Sequence, residues 1–445
     1  MSEKKESTTG GSGDQGGIER HLLLGGGTPG PMLVRGKGVR VWDDAGHSYL
    51  DCTSQSWALY LGHCHPEINA AISAQLEEMG HIHQGFHTRN RYAFAAKLAQ
   101  LAPPKLNRVS FTVGGGPAIE AAMKIAVRNN PAASEFISLW DGYHGTTLGT
   151  MGASWISTRA RGSFSGGSFY TSLTRNFTRV PNPYCYRCPL GQTPGQCKLD
   201  CAHVLRKTLE RGINGPCAGV IMEPLQASGG QIPFPKAYLQ EVRAICDEFK
   251  VPLIFDEIQT YMRIGSYYAA NYYGVEPDII CLGKALGAGL PIAAIIIADH
   301  LRGFGPEVEE LHTFANNQVS QAAGLKLIEI IQRDDVLENA NTQGAWFAAQ
   351  LRELQKRYPE IGDIRQVGMH IGVEFVADPE TKRPLDDETP KIRQEGIARG
   401  ALFGLGGVRR NVLKIKPPLI ITRREAEEVM AIVADSVAVV LGRRA

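Results

Sequence analysis

The chain has 445 residues, of which 43% are hydrophobic and 21% are charged, and its formal net charge is +2. The length allows two or three globular domains, and the near-zero net charge argues against nucleic acid or an anionic membrane surface as a partner. No apolar run reaches the ~18 residues needed to span a membrane, and the amino terminus lacks the apolar core of a signal peptide. The sequence therefore predicts a cytoplasmic globular protein without nucleic-acid or membrane partners.

Residues 1–17 are polar and glycine-rich, and they predict a disordered tail because they cannot bury enough apolar surface to fold. Beyond them, helical and strand patterns alternate along the chain. The predicted helices include residues 66–79, 90–101 and 238–249. The predicted strands are residues 135–140, 218–222, 252–255, 278–282 and 292–297. This alternation predicts an α/β fold with a mostly parallel central sheet flanked by helices.

The pattern changes after residue 321. Long helices follow, then short strands at residues 372–375 and 412–415, and a final helix begins at residue 423. We expect a smaller α+β domain over residues 322–445, completed by an amino-terminal segment, residues 18–65. Residues 66–321 would then form the large domain.

One lysine stands in a run that should be buried. Lys284 lies in CLGKALGAGLPIA, residues 281–293, directly after a predicted strand. The ordinary alternative is a lysine whose stem covers apolar surface while its ammonium reaches water. A desolvated lysine, however, loses its proton readily, and its neutral amine is a nucleophile that can form a Schiff base. Lys284 is therefore a candidate catalytic residue if the chain also binds an aldehyde cofactor.

Polar residues follow three other predicted strands. Asp256 and Gln259 come after one of them, Glu223 after another, and Tyr143 after a third. Ligands of open α/β sheets bind beyond the carboxyl ends of the strands. Taken singly, a strand-end aspartate often caps the next helix, and an isolated tyrosine is usually a core residue. Their joint occurrence with Lys284 favours a shared site.

Three glycines precede a predicted helix in VGGGPAIE, residues 113–120. Backbone N–H groups at a helix start can hold a phosphate, although a flexible turn is the alternative. A phosphate site, a lysine, a carboxylate and an aromatic ring are what pyridoxal phosphate requires. Lys284 would bind its aldehyde, and Asp256 would keep its pyridine nitrogen protonated, which strengthens the ring as an electron sink. Tyr143 would stack on the ring, and Gln259 would hydrogen-bond its phenolic oxygen.

Several longer motifs strengthen this interpretation. They are LGHCHPEI (61–68), DGYHG (141–145), EPLQ (223–226), FDEIQT (255–260), PDIICLGKALGAGLP (277–291) and TF (313–314). Together they make the chain similar, over residues 34–419, to a class III aminotransferase of the fold-type I pyridoxal-phosphate enzymes.

The resemblance implies a homodimer, with a tetramer as the alternative, whose active sites lie at the subunit interface. Gly115 and Gly116 would hold the cofactor phosphate through backbone N–H groups, and Glu223 would belong to the cofactor site. Thr313 would reach the phosphate of the neighbouring subunit's cofactor. The substrates would be a small-molecule amino donor and a 2-oxo acid acceptor.

Three positions depart from the pattern of members that use 2-oxoglutarate. Thr146 replaces an arginine that binds the distal carboxylate, Ser228 replaces a glutamate that masks a second arginine, and Lys414 replaces that second arginine. Lys414 would then be a permanent cation that binds a substrate carboxylate as a point charge, unless it is a surface lysine on a strand. Trp57 would line the substrate pocket. We therefore predict transfer of an amino group between an amino acid or amino-carboxylate and a 2-oxo acid other than 2-oxoglutarate.

The resemblance leaves two alternatives open, because relatives also include racemases, epimerases and lyases. An amino-acid racemase or epimerase on the same cofactor would exchange the α-hydrogen without any 2-oxo acid. A non-enzymatic metal-binding or scaffold protein that retains the fold would lack the absorption band of a lysine-bound cofactor.

Four cysteines lie close together in the segment PNPYCYRCPLGQTPGQCKLDC. Cys185, Cys188, Cys197 and Cys201 form the pattern C-x2-C-x8-C-x3-C, which is typical of a structural zinc or iron–sulfur site. In a cytosolic protein a metal is favoured over disulfides, and reduced thiols are the alternative. The pattern predicts one structural metal site away from the catalytic centre.

Overall fold

Two seven-stranded sheets form the framework of the computed structural model, which describes residues 21, 30–133, 135–154 and 176–442. The predicted tail, residues 1–17, lies outside these residues. The strands are β1 (Leu33–Lys37), β2 (Arg40–Asp43), β3 (Ser48–Cys52), β4 (Leu106–Thr112), β5 (Glu135–Leu139), β6 (Phe177–Val180), β7 (Cys217–Met222), β8 (Leu225–Gln226), β9 (Ile232–Pro233), β10 (Leu253–Asp256), β11 (Ile279–Leu282), β12 (Ala293–Ala298), β13 (Ile361–Val367), β14 (His370–Phe375), β15 (Ala401–Gly406) and β16 (Val412–Ile415).

Helices cover both sheets. They are α1 (Ser54–Trp57), α2 (Pro66–Glu78), α3 (Arg89–Leu101), α4 (Gly115–Asn129), α5 (Leu148–Met151), α6 (Asp200–Arg211), α7 (Lys236–Phe249), α8 (Ala269–Tyr273), α9 (Gln318–Arg333), α10 (Val336–Arg357), α11 (Glu388–Ala398) and α12 (Arg423–Leu441). Two short 3-10 turns span Cys185–Arg187 and Lys284–Gly287. Within the described residues, no helix is both long enough and apolar enough to cross a bilayer.

The first sheet has the strand order β4-β12-β11-β10-β7-β5-β6. Its neighbours pair in parallel except for β12, which runs antiparallel to both β11 and β4. Every residue of β7, β10, β11 and β12 is buried, as expected for strands covered by helices on both faces. The prediction of an α/β fold with a mostly parallel central sheet is confirmed, and the predicted strands match within one residue at each end.

The second sheet joins the two ends of the chain in the order β1-β2-β3-β15-β16-β14-β13. A parallel pair, β3 with β15, connects the amino-terminal strands to an otherwise antiparallel carboxy-terminal set. Lys414 lies on the interior strand β16, opposite Gly404 on β15 and Gly372 on β14. The domain limits at residues 65 and 321 remain a prediction.

An unusual turn connects the second sheet to the active site. The four residues of α1 all have positive φ, from 45° at Ser54 to 68° at Trp57. Such left-handed backbone costs roughly 1–2 kcal/mol for each residue with a side chain. Two buried hydrogen bonds hold it in place: the Ser54 hydroxyl donates to the carbonyl of Lys416 over 2.7 Å, and Arg263 donates to the Ser54 hydroxyl over 3.0 Å. The turn thereby brings Trp57 beside the end of the first sheet.

Candidate active site

A cavity of about 220 Å³ opens at the carboxyl ends of β5, β7, β10 and β11. Its lining residues are Gly115, Gly116, Tyr143, His144, Gly145, Thr146, Thr147, Glu223, Asp256, Ile258, Gln259 and Lys284. The structure thus brings together all the predicted cofactor residues except Thr313, which is exposed in a separate loop. They meet because parallel strands end at one edge of a sheet.

Lys284 follows β11 directly and begins a 3-10 turn with φ of 48°. Burial lowers the pKa of its ammonium, while the nearby charges of Asp256 and Glu223 oppose this shift. A lysine with a lowered pKa is more often in the neutral form that attacks an aldehyde. Its surroundings therefore suit a nucleophilic amine.

Asp256 is held by two donors at the end of β10. Its Oδ2 lies 2.8 Å from Nδ1 of His144, and its Oδ1 accepts a hydrogen bond from the backbone N–H of Ile258 over 3.1 Å. Burial disfavours the charged form of His144, but the hydrogen bond and charge of Asp256 outweigh it, so the pKa of His144 is raised. Sequence reasoning overlooked His144 as a site residue, although it adjoins Tyr143 in the DGYHG motif.

Glu223 fixes the segment that carries Tyr143. Its Oε1 accepts from the backbone N–H of Tyr143 over 3.0 Å, and its Oε2 accepts from the backbone N–H of Ala227 over 2.9 Å. Burial raises the pKa of Glu223 to about 7, with opposite contributions from the charges of His144 and Asp256. Glu223 therefore orients the Tyr143 backbone at the mouth of the cavity.

The start of α4 fits a phosphate. Gly114 precedes the helix and no side chain caps it, so the first backbone N–H groups remain available to an anion. A Cβ atom at Gly116 would lie 2.9 Å from a Thr147 methyl carbon, and one at Gly145 would lie 2.8 Å from the Thr150 hydroxyl. This close approach requires glycine. With Lys284 and Asp256 across the same cavity, the residues fit pyridoxal phosphate.

Three lysine side chains surround Trp57. The Nζ atoms of Lys414, Lys416 and Lys284 lie 4.4, 4.7 and 6.0 Å from the centroid of its ring. Lys414 was predicted in this region, whereas Lys416 was missed. Its signal was available in NVLKIKPPL, because residues two apart on an extended strand point to the same face.

The prediction of a metal site at the four cysteines is not supported and is corrected here. Across the described residues, which include all four, no group of three or more His, Cys, Asp or Glu side chains could hold a metal ion. All nine cysteines are free thiols. Burial raises the pKa of Cys201 to about 11, and burial together with the charges of Cys197 and Cys188 raises that of Cys185.

The spacing misled because other contacts determine the path of this segment. Tyr184 and Arg187, on either side of Cys185, both bind the buried carboxylate of Glu374 on β14. Cys201 is drawn into the first turn of α6. The segment that carries Cys185, Cys188, Cys197 and Cys201 therefore follows a docked loop and the start of a helix. Its thiols lie near one another, since Cys197 and Cys188 raise the pKa of Cys185, but no three of them are placed to hold a metal ion.

The fold and the site together define a fold-type I pyridoxal-phosphate enzyme: a mostly parallel sheet, with a buried lysine, a strand-end aspartate and a glycine-lined helix start at one edge. Comparison with known proteins narrows this class.

The sequence profile of the class III aminotransferases matches residues 27–437. A leucine/methionine racemase of Thermococcus litoralis is 30% identical over 404 residues, which cover 89% of this chain and 88% of that protein. An adenosylmethionine-8-amino-7-oxononanoate aminotransferase of Geobacter sulfurreducens is 33% identical over 416 residues, 89% of each chain. A PLP-bound amine transaminase from an uncultivated Pseudomonas species has a TM-score of 0.83 at 27% identity, covering 98% of this chain and 99% of that one.

The chain belongs to the class III aminotransferase family and is a pyridoxal-phosphate-dependent transaminase. The non-enzymatic alternative is therefore set aside.

Proposed function

We propose that this transaminase exchanges an amino group between an α-amino acid, or another amino-carboxylate, and a 2-oxo acid other than 2-oxoglutarate. The observation that carries the proposal is the state of Lys414. Its residue is only 5% exposed, and among the described residues it makes no hydrogen bond to a protein acceptor. Burial lowers the pKa of its amine to about 7, although the charge of Glu223 opposes this shift, so Lys414 is not the permanent cation predicted from the sequence. Its charged form has no hydrogen-bonded counter-charge, which is costly for a buried cation. A substrate carboxylate beside Trp57 would supply that charge.

Each residue of the site has a place in this proposal. When bound, pyridoxal phosphate supplies an aldehyde that captures the substrate amine and a ring that stabilises the electrons left when the α-proton is removed. Lys284 would hold the cofactor, and its amine, once displaced by substrate, would move the α-proton. Asp256, oriented by His144, would hold a proton on the pyridine nitrogen. Tyr143 would stack on the ring.

Three further residues would complete the cofactor and substrate sites. Gly115 and Gly116 would donate backbone N–H groups to the phosphate, because α4 begins without a side-chain cap. Trp57 would form the wall against which the substrate carboxylate lies, since its ring already contacts the Lys414 ammonium.

The choice of the 2-oxo acid acceptor depends on which side chains line the cavity. Thr146 lines it with a neutral hydroxyl, whereas Ser228 is not among its lining residues. The backbone carbonyl of Ser228 accepts from the N–H of Gly407 over 3.0 Å. A second substrate carboxylate would therefore meet no cation at Thr146. An unpaired carboxylate in a dry pocket costs several kcal/mol, and ~1.4 kcal/mol is already a tenfold change in rate.

Acceptor kinetics test this proposal. With one amino donor, we expect kcat/KM for pyruvate to exceed that for 2-oxoglutarate by at least about tenfold. The variant Thr146→Arg, which adds a distal cation, should raise kcat/KM for 2-oxoglutarate and leave pyruvate nearly unchanged. Equal or better use of 2-oxoglutarate by the unmodified enzyme would show that other residues bind the second carboxylate.

Racemisation is the second candidate, because two relatives are named for it: the Thermococcus litoralis racemase and an isoleucine 2-epimerase of Lentilactobacillus buchneri, 31% identical over 416 residues. Transamination and racemisation can be distinguished in an assay that contains an amino acid but no 2-oxo acid. A transaminase stops after about one amino group per active site, whereas a racemase continues to produce the opposite enantiomer. Chiral chromatography of the products distinguishes them.

We also propose that a second copy of the chain covers an exposed apolar face. Phe86, Tyr92, Leu311 and Phe314 are each about 60% exposed, more than isolated apolar residues would explain. Their two segments are joined, because the amide of Asn316 donates to the carbonyl of Phe86 over 3.1 Å. Thr313, which is predicted to reach the partner's phosphate, lies on this face.

The oligomeric state tests this arrangement. We expect a dimer by sedimentation velocity, and a monomer with weakened cofactor binding for the double variant Leu311→Asp, Phe314→Asp. Thr313→Val should remain dimeric yet bind pyridoxal phosphate more weakly. A wild-type monomer that retains full cofactor affinity would contradict the proposal. The cytoplasmic location stays a prediction.

A further inference from the structure

Lys416 is a fully buried lysine whose hydrogen bonds avoid every carboxylate in the described residues. Its Nζ donates to Oε1 of Gln259 over 3.1 Å and lies 2.9 Å from Nε2 of His370. Its residue is 0% exposed, and the ring of Trp57 lies 4.7 Å away. Packing alone does not explain why a lysine lies here, between an amide and an imidazole at the edge of the cavity.

We propose that Lys416 is a positioning residue that fixes the side-chain amide of Gln259 with its NH2 group facing the cofactor. This inference rests on the proposed function of the same site. The carbonyl oxygen Oε1 of Gln259 lies 3.1 Å from Nζ of Lys416. An amide oxygen only accepts, so the Lys416 amine donates to it. The NH2 group then points the other way, and Gln259 lines the cavity.

His370 holds the other side of the amine. Burial, and then the charge of Lys416, lower the pKa of His370 well below its usual value, so the ring is neutral and one of its nitrogens is an acceptor. The ring nitrogen that faces Nζ of Lys416 is Nε2, 2.9 Å away, so the two groups form a hydrogen bond. Lys416 is thereby bound from two directions, which keeps its amine on the oxygen of Gln259.

The consequence concerns the phenolic oxygen of the cofactor, the acceptor predicted for Gln259. A donor to this oxygen favours its ionised form. The pKa of the lysine-bound cofactor should therefore be lower with this hydrogen bond than without it. The charges of Lys284, Lys414, Arg263 and Glu223 act on Lys416, and Asp256 and His144 line the same cavity as Gln259. These groups act on the cofactor through charge and not through Gln259.

A double-mutant cycle separates positioning from charge. The readout is the pH midpoint of the visible absorption change of the holoenzyme, which requires no substrate. We expect Lys416→Met and Gln259→Leu each to raise this midpoint by roughly one unit, the scale of a hydrogen bond to a charged group. In the Gln259→Leu background, Lys416→Met should add little, because its route to the cofactor is already gone.

Two further variants control the result. Lys416→Gln keeps a donor without the charge and should retain a midpoint close to that of the wild type, which also covers the case in which Lys416→Met does not fold. Lys414→Met removes a nearby charge that does not touch Gln259. Any shift of the pH midpoint that it causes should therefore be the same in the wild type and in Gln259→Leu. Thermal unfolding checks the fold of each variant.

Two results would overturn the inference: no midpoint shift in Lys416→Met, or a shift that persists in full in the Gln259→Leu background. Failure of the proposed function looks different, because the wild-type enzyme would then show pyridoxal-phosphate absorption without exchanging amino groups between amino acids and 2-oxo acids. The inference and the function on which it rests can therefore fail separately.

Discussion

Replacing Lys284 with alanine should abolish the visible absorption band of the lysine-bound cofactor and slow turnover by at least ~10²-fold. The side chain would both hold the cofactor and move the α-proton, and general acid–base groups alone typically contribute ~10² to 10⁴ in rate. Cofactor binding itself should persist in part, because the glycines of α4 and the carboxylate of Asp256 do not depend on Lys284.

Absorption spectra and single-turnover kinetics of Lys284→Ala measure the two effects separately. Lys356→Ala is a suitable control, since the Lys356 side chain is 69% exposed on a surface helix. We expect this control to keep both the band and the rate. A Lys284→Ala protein with a normal band and normal α-hydrogen exchange would show that the buried lysine has only a packing role.

Replacing Lys414 with methionine should raise KM for amino-carboxylate donors by roughly 30- to 5,000-fold, the range for removing one partner of a buried charge pair. The stem of Lys414 runs past Gly404 and Gly406, where an added Cβ would lie 3.1 and 2.9 Å from it, so methionine fits the same channel. An amine without a carboxylate is the matched control substrate, and its KM should change little. Equal effects on both substrates would indicate general damage to the site.

The same residue predicts a pH dependence. Burial, and then the charge of Lys284, lower the pKa of Lys414 to about 7. Below this pH the ammonium is already charged, whereas above it carboxylate binding must take up a proton, so KM should rise with pH by up to about tenfold per unit. Glu223, whose pKa is also about 7, remains in Lys414→Met. The part of the pH dependence that disappears in this variant therefore belongs to Lys414, and an unchanged profile would contradict the assignment.

Local features of the sequence were enough to predict the sheet and much of the candidate site. Lys284, Asp256 and Tyr143 each follow a strand, and the carboxyl ends of parallel strands meet at one edge whatever the details of packing. The glycines at the start of α4 likewise act through the backbone of a few adjacent residues. Such features depend on short stretches of chain, so they can be read in order along the sequence.

Only the tertiary structure decided the contacts between distant segments. His144 meets Asp256 across 112 positions because β5 and β10 end at the same edge of the first sheet. Lys416 meets Gln259 across 157 positions because the residue after β16 of the second sheet packs against the cavity. The four cysteines have the spacing of a metal site, but the loop that carries them follows its contacts with Glu374 instead. Hydrogen bonds and burial between separate elements depend on how the elements pack, and spacing along the chain does not contain that information.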